Sequence, residues 1–113
     1  MTKYTVLHNP RCTKSRNALK LLEEQGVSFE VREYLVDNLD LKELTKLLAI
    51  GDFDIKDLIR NKEAKEAAIE TKNKNETQLL KAIEANPKIM QRPVVIKNKK
   101  ATIARDDDWF TRL

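Results

Sequence analysis

Cys12 is the only cysteine in the 113-residue chain, and it lies between an apolar run typical of a β-strand and an amphipathic run typical of a helix. A cysteine at such a corner meets the positive end of the helix dipole and the unpaired amides of the first turn, which favour the thiolate. Arg11, Lys14 and Arg16 lie within four positions of it and add positive charge. We therefore predict that Cys12 is a nucleophile; the alternative is an unreactive cysteine buried in the core.

Ser15 and His8 are the polar residues on either side of this loop. Ser15 follows Cys12 by three positions, so its hydroxyl is placed to donate to the sulfur from one helical turn away. His8 ends the first strand. It either helps to activate the thiol or only forms hydrogen bonds with neighbouring groups and has no functional role. The spacing is C-x-x-S, with no second cysteine in the chain. A modified Cys12 must therefore be released by an external thiol.

Length and cysteine content limit the class of protein. The chain is long enough for one hydrophobic core, so we expect a single domain over residues 1–113 without disulfides or structural metal. A lone cysteine cannot form an internal disulfide, and no apolar run reaches the roughly 18 residues of a membrane-spanning helix. No apolar leader precedes the first strand. These features favour a cytoplasmic protein with no membrane association.

The charged residues are numerous but mixed in sign. The 22 basic and 18 acidic residues give a net charge of +4, and they alternate in segments such as residues 62–66, where pairing along a helix face is expected. No zinc-finger spacing, RNA-binding aromatic motif or glycine-rich phosphate loop is present. One histidine and one cysteine argue against a transition-metal site. We expect no nucleic-acid partner, no metal and no bound cofactor.

The first third of the chain has a β-α-β pattern. Residues 3–8 are rich in β-forming side chains and stop at Pro10, and helical apolar spacing then runs from Lys14 to a glycine stop at Gly26. Residues 27–34 alternate apolar and polar side chains, as a half-buried strand does. A right-handed helical crossover makes the two strands parallel. Cys12 then lies at the carboxyl end of the first strand, where open α/β sheets bind ligands.

The remainder is a helical middle followed by a β-β-α end. Asp40, Asp54 and Asn75 each have the sequence signature of a helix N-cap, and residues 72–75 form the best loop candidate between them. After Pro93, residues 94–96 and 101–104 form a predicted hairpin. Acidic residues 106–108 then open a short terminal helix. We therefore predict a thioredoxin-like α/β fold with a β-α-β … β-β-α core and a helical insertion at about residues 38–90.

Four ordered motifs over essentially the whole chain resemble the arsenate reductase family that uses glutathione and glutaredoxin, in particular its chromosomal branch. The motifs are His8-Asn9-Pro10-x-Cys12-x-x-Ser15-Arg16, Asp57-Leu58-Ile59-Arg60, Gln91-Arg92-Pro93-Val94-Val95 and Ile103-Ala104-Arg105. Four motifs in the right order and spacing are much more specific than a single cysteine. The resemblance therefore adds residue roles to what the pattern predicts.

The resemblance implies a nucleophile surrounded by arginines. Cys12 matches the family's nucleophile, and Arg60, Arg92 and Arg105 match the arginines that bind the oxyanion. Taken singly, each arginine could also be an ordinary surface cation. A thiolate attacking a dianion needs fixed positive charge, and the planar arginine fork fits tetrahedral oxyanions better than lysine does. The residue chemistry therefore agrees with the implied roles.

The resemblance also assigns supporting residues. His8 and Ser15 match residues thought to lower the pKa of the thiol. Pro93 matches the proline that opens the third strand of thioredoxin-like folds and is usually cis, so we expect a cis Arg92–Pro93 bond that aims Arg92 toward Cys12.

The implied activity is reduction of arsenate, or a similar oxyanion, to arsenite through a covalent Cys12 adduct. Glutathione would be the co-substrate and glutaredoxin the partner. One alternative is a monothiol oxidoreductase that acts on glutathione mixed disulfides. Another is a non-enzymatic regulator like Spx, which binds the RNA polymerase alpha subunit. Those regulators typically carry C-x-x-C, and Ser15 replaces the second cysteine here.

Three aspartates directly follow the third arginine of the predicted site, where relatives commonly continue into proline-rich sequence. Asp106, Asp107 and Asp108 would either neutralise Arg105 and repel a dianion or cap the terminal helix and face away from the site. The sequence leaves both arrangements open.

Overall fold

A mixed sheet of four strands organises the protein, whose computed structural model describes residues 3–113. The strands are β1 (Tyr4–Leu7), β2 (Phe29–Arg32), β3 (Val94–Lys97) and β4 (Lys100–Ile103), in the order β2-β1-β3-β4. β1 pairs in parallel with β2 and antiparallel with β3, and β3 and β4 form an antiparallel hairpin. The predicted parallel pair and the predicted hairpin are both confirmed.

Three of the five α-helices begin where the capping signals predict them. The five are α1 (Thr13–Glu24), α2 (Leu41–Ile50), α3 (Ile55–Leu58), α4 (Asn61–Glu66) and α5 (Glu76–Ala85), with 3₁₀ turns at Pro87–Ile89 and Trp109–Arg112. Asp40, Asp54 and Asn75 each form the complete capping box. These local side-chain hydrogen bonds satisfy amides of the first turn, which is why the sequence alone locates the helix starts. Among residues 3–113, no helix is long and apolar enough to cross a membrane.

The sheet separates two apolar clusters because side chains alternate along each strand. In β1, Val6 packs with Leu22 of α1 and with Trp109, whereas Leu7 points to the other face and packs with the helices of the middle region. The chain thus forms a three-layer arrangement with α1 on one face and α2 to α5 on the other. The loop that carries Cys12 emerges at the carboxyl end of β1 between these layers.

Three local expectations are corrected by the structure. β2 is shorter than residues 27–34, and Val31 is 44% exposed, because β2 lies at the edge of the sheet. The helix that begins after Asp54 is expected to carry Leu58 and Ile59, but it ends at Leu58, and Ile59 is extended and forms an isolated bridge with Met90. The terminal element is a 3₁₀ turn at Trp109–Arg112 without a side-chain cap from Asp108.

Candidate active site

Cys12 is the N-cap residue of α1 and has an extended backbone conformation. The preceding loop is fixed by short contacts: the Cys12 amide donates to the Asn9 carbonyl at 3.0 Å, and Arg16 donates to the Pro10 carbonyl at 2.8 Å. Arg16 also donates to the Thr13 hydroxyl at 3.2 Å. The sequence analysis expected Arg16 to act on the thiol as a cation; in the structure its guanidinium binds the loop that holds Cys12.

The surroundings lower the pKa of the Cys12 thiol. Burial is the largest influence and by itself raises the pKa. Four donors together outweigh it: the backbone amide of Ser15, the guanidinium groups of Arg92 and Arg105, and the backbone amide of Lys14. These groups donate to the sulfur and so stabilise the thiolate. The half-buried Cys12 is free of any disulfide. Its environment is that of an activated nucleophile rather than an inert core cysteine.

Ser15 acts on the sulfur through its backbone amide, not through its hydroxyl as the sequence predicts. The buried hydroxyl oxygen lies 2.9 Å from His8 Nδ1 and accepts a hydrogen bond from the Asn9 amide at 3.0 Å. Burial lowers the pKa of His8, assisted by Arg16 and opposed by Glu33. His8 and Ser15 therefore brace the end of β1 against the first turn of α1, and any effect on the thiol passes through that geometry.

Arg105 is brought directly to Cys12 from the other end of the chain. Its Nη1 atom lies 3.9 Å from Cys12 Sγ and donates to the Arg92 carbonyl at 2.7 Å. The Arg92–Pro93 peptide bond is cis, the isomer that the sequence analysis expects. The Arg92 and Arg105 segments are thus joined next to the sulfur.

Arg60 and Arg92 share a carboxylate that the sequence analysis treated as surface charge. Glu63 Oε2 forms an ion pair with Arg60 Nε and another with Arg92 Nη1 at 3.1 Å. All three side chains are largely buried, with exposures of 22%, 18% and 17% for Arg60, Arg92 and Glu63. Burial raises the pKa of Glu63, but the two guanidinium groups outweigh it and the pKa is lowered. Glu63 is thus an internal anion bound to two predicted oxyanion arginines.

The aspartates after Arg105 do not neutralise it. Asp106 accepts hydrogen bonds from Arg112 at 2.6 and 2.8 Å, and these bonds lower its pKa to about 2. Arg112 also reaches Asp52 at 3.2 Å. The contacts of Arg105 described above leave its guanidinium directed at the Cys12 region. None of the aspartates caps the terminal turn through its side chain, and Asp106 pairs with Arg112 rather than with Arg105.

Tyr34 is a second residue that the sequence analysis did not select. It is only 1% exposed, and among residues 3–113 its hydroxyl has no hydrogen-bond partner. Burial raises its pKa to about 12, and the charges of Arg92, Cys12 and Arg60 also act on it. The side chain of Asn9 also lowers that pKa, but it forms no hydrogen bond with the Tyr34 hydroxyl. The Tyr34 hydroxyl therefore lies near the predicted site residues.

The structure brings together most of the predicted residues around one sulfur. Arg92 and Arg105 act directly on Cys12, while Arg60 joins them through Glu63. The i,i+3 spacing of Arg60 and Glu63 on a helix was a signal for that pair, but nothing in the sequence indicates the longer contact to Arg92. The assembly combines a thiol whose pKa is lowered with several donors for an anion, an arrangement suited to nucleophilic attack on an oxyanion.

A groove of about 440 Å³ runs beside this cluster. Its lining includes the loop residues Pro10 and Arg11, the exposed Val36, and charged side chains of Lys88 and Arg92. The acidic residues Glu33 and Glu63 also line it, so the groove has apolar walls with charges of both signs.

The chain is similar in sequence and in fold to several known proteins. The family model described as "ArsC family" matches residues 7–113. The arsenate reductase of Neisseria meningitidis serogroup A is 39% identical over 108 residues, which cover 93% of this chain and 92% of that protein. The Escherichia coli protein YfgD is 42% identical over 111 residues, covering 93% and 92%. The structure titled arsenate reductase from Vibrio cholerae has a TM-score of 0.87 and 29% identity, covering 98% of this chain and 97% of its own.

Proposed function

The chain belongs to the ArsC family and has its thioredoxin-like fold, and we propose that it reduces arsenate to arsenite with Cys12 as the nucleophile. The observation that carries the proposal is the convergence of Arg92 and Arg105 on a sulfur whose pKa they lower. These arginines come from segments about 80 and 93 positions away in the sequence. A half-buried thiol of lowered pKa with cations from distant segments supports attack on an anion, because each cation offsets charge repulsion.

The first step is attack of the Cys12 thiolate on arsenic(V). A bond forms between Sγ and arsenic, one arsenic–oxygen bond breaks, and the oxygen leaves as water after taking up protons from solution. Arsenic stays in the +5 state, and the product is a Cys12 thiol ester of arsenate. Arg105, with Nη1 3.9 Å from Sγ, is the group nearest to the reacting atoms and would hold an arsenate oxygen there.

Reduction needs two electrons from thiols that the chain does not contain. In our proposal glutathione condenses on the adducted arsenic, with loss of a second oxygen as water. Glutaredoxin then attacks the glutathione sulfur, so that a mixed disulfide forms and arsenic is reduced to the +3 state. Water finally releases arsenite and restores the Cys12 thiol. The single cysteine of the chain supports an external reductant, because no internal disulfide can form.

The proposal places the protein in the cytoplasm, where glutathione is kept reduced. Its test is arsenite formation by the purified protein supplied with arsenate, glutathione and glutaredoxin. Omission of glutathione, or its replacement by thioredoxin and thioredoxin reductase, should stop turnover after about one equivalent of adduct. Sustained turnover with thioredoxin alone would refute the monothiol route while leaving arsenate as the substrate. No arsenite with any thiol system would refute the proposed function itself.

A second function, reduction of glutathione mixed disulfides, is favoured by one observation. The groove beside the site presents Arg11 and Lys88 together with Glu33 and Glu63, and a glutathione moiety carries both carboxylates and an amino group that would pair with them. The same activated Cys12 would then attack a disulfide sulfur. Turnover on a glutathionylated peptide, compared with turnover on arsenate by the same preparation, separates the two. A higher kcat/KM on arsenate is expected.

A further inference from the structure

Tyr34 lies just beyond the end of β2, on the side of the sheet where the Cys12 loop begins. It follows β2 by two residues, and β2 runs parallel to β1. The two strand ends are joined where the His8 amide donates to the Arg32 carbonyl at 2.8 Å. Since parallel strands end at the same edge, Tyr34 and the Cys12 loop emerge side by side.

Two buried donors near this edge have no partner among residues 3–113, and these are Tyr34 Oη and Arg92 Nε. A buried polar group without a hydrogen bond destabilises a folded protein, so natural structures rarely retain one. A phenylalanine would fill the same place in the apolar cluster to which Tyr34 belongs without that penalty. The hydroxyl is therefore better explained by a ligand than by packing.

We propose that the Tyr34 hydroxyl is a neutral fourth donor of the oxyanion site, which binds an oxygen of the tetrahedral anion held by Arg92 and Arg105. The inference rests on the proposed function, because it takes the Cys12 pocket to be the anion site. Arg92 Nε would bind the same anion, so that a single ligand satisfies both buried donors.

A phenol fits this role for a chemical reason. It remains protonated at neutral pH, since burial raises its pKa to about 12, and it donates a hydrogen bond without giving up its proton. It also adds no positive charge to a site in which Glu63 already balances part of the arginine charge. A neutral donor strengthens anion binding without trapping the product as firmly as another cation would.

The test uses Tyr34→Phe with Tyr4→Phe as its matched control. Tyr4 is the other tyrosine of the chain, is equally buried, and stacks on Phe110 in the opposite cluster. Sulfate, an unreactive tetrahedral dianion, is titrated by calorimetry into the full-length protein. Steady-state arsenate reduction is measured in parallel.

Tyr34→Phe should weaken sulfate binding by about tenfold, as the loss of one hydrogen bond to a charged acceptor does, and lower kcat/KM for arsenate. Without anion its unfolding temperature should equal or exceed that of the wild type, because an unpaired buried hydroxyl is removed. Tyr4→Phe should leave sulfate affinity unchanged.

Equal sulfate affinity in the wild type and Tyr34→Phe would overturn the inference and leave the proposed function intact. A lower unfolding temperature with unchanged affinity would also overturn it, because the role would then be structural. The inference would also be overturned if Tyr34→Phe raised the pH midpoint of Cys12 alkylation enough to explain its lower activity, because Tyr34 would then act by changing the pKa of the thiol. Failure of the wild type both to bind sulfate and to reduce arsenate would refute the proposed function, and this inference with it.

Discussion

Substitution of Glu63 by glutamine removes a negative charge from the centre of the proposed anion site while keeping the shape of the side chain. Glu63 now binds both Arg60 and Arg92, so an incoming oxyanion meets guanidinium groups that already have an anionic partner. We therefore expect Glu63→Gln to bind sulfate and arsenate more tightly than the wild type.

The magnitude follows from the distances in the site. Glu63 Oε2 lies 3.1 Å from Arg92 Nη1, so an oxyanion on the other side of that guanidinium would lie about 6 Å from the carboxylate. Two unit charges at about 6 Å repel by roughly 1.4 to 2.8 kcal/mol for an effective dielectric constant between about 40 and 20. Removal of that repulsion should tighten binding by about tenfold to a hundredfold.

The same substitution should destabilise the free protein. An exposed ion pair contributes at most about 1 kcal/mol to stability, whereas disruption of a buried pair costs about 3 to 5 kcal/mol. Glu63 is 17% exposed, so its ion pairs are intermediate between these two cases. We expect a loss of about 1 to 2 kcal/mol in the free energy of unfolding. Because folding lowers the pKa of Glu63 from 4.5, this contribution is complete above that pH and disappears as the pH falls through the folded-state value.

Calorimetric titration with sulfate at neutral pH measures the effect, and Glu66→Gln serves as the control. Glu66 is exposed on the same helix, so its substitution changes the net charge equally without touching the arginines. Glu63→Gln should exceed Glu66→Gln in sulfate affinity by at least about fivefold. Equal or weaker binding would refute the reasoning, because Glu63 would then serve to orient the arginines for the anion rather than to compete with it.

Three further predictions concern the thiol and its neighbours. The rate of Cys12 alkylation should have a pH midpoint below the ordinary thiol value, because amides and guanidinium groups favour the thiolate. Arg105→Ala should raise that midpoint, and an unchanged midpoint would show that Arg105 does not act on the sulfur. Arg92→Ala should lower kcat/KM for arsenate by about a hundredfold, with Arg92→Lys intermediate, whereas an Arg92→Lys variant as active as the wild type would refute a role for the paired donors. Asp106→Asn should leave arsenate reduction unchanged in the same assay, because Asp106 pairs with Arg112; a clear increase would show that it does compete for Arg105.

Features that depend on local sequence were predictable. The three capping boxes, the hairpin after Pro93 and the placement of Cys12 before α1 each rest on residues a few positions apart. The boundaries of β2 were less predictable, because its length depends on its place at the edge of the sheet. Alternation in the sequence cannot reveal which neighbours will cover a strand.

The partners of the charged groups depend on tertiary contacts, and the sequence mispredicted several of them. Arg16 is near Cys12 in the sequence but binds the loop carbonyl of Pro10, whereas the distant Arg105 reaches the sulfur. Glu63 lies among alternating charges that indicate a solvated helix face, yet it binds Arg92 across 29 positions. Motif resemblance placed Arg60 and Arg92 in one site, but only the structure reveals the carboxylate between them.

Intact-protein mass spectrometry tests most directly the central claim that Cys12 attacks arsenic. Wild-type protein incubated with arsenate and glutathione, and quenched before glutaredoxin is added, should carry arsenic at Cys12, with or without glutathione bound to the arsenic. Cys12→Ser should carry neither, and arsenate should be required for the modification. An unmodified wild-type protein under conditions that yield arsenite, or the same modification on Cys12→Ser, would contradict the account.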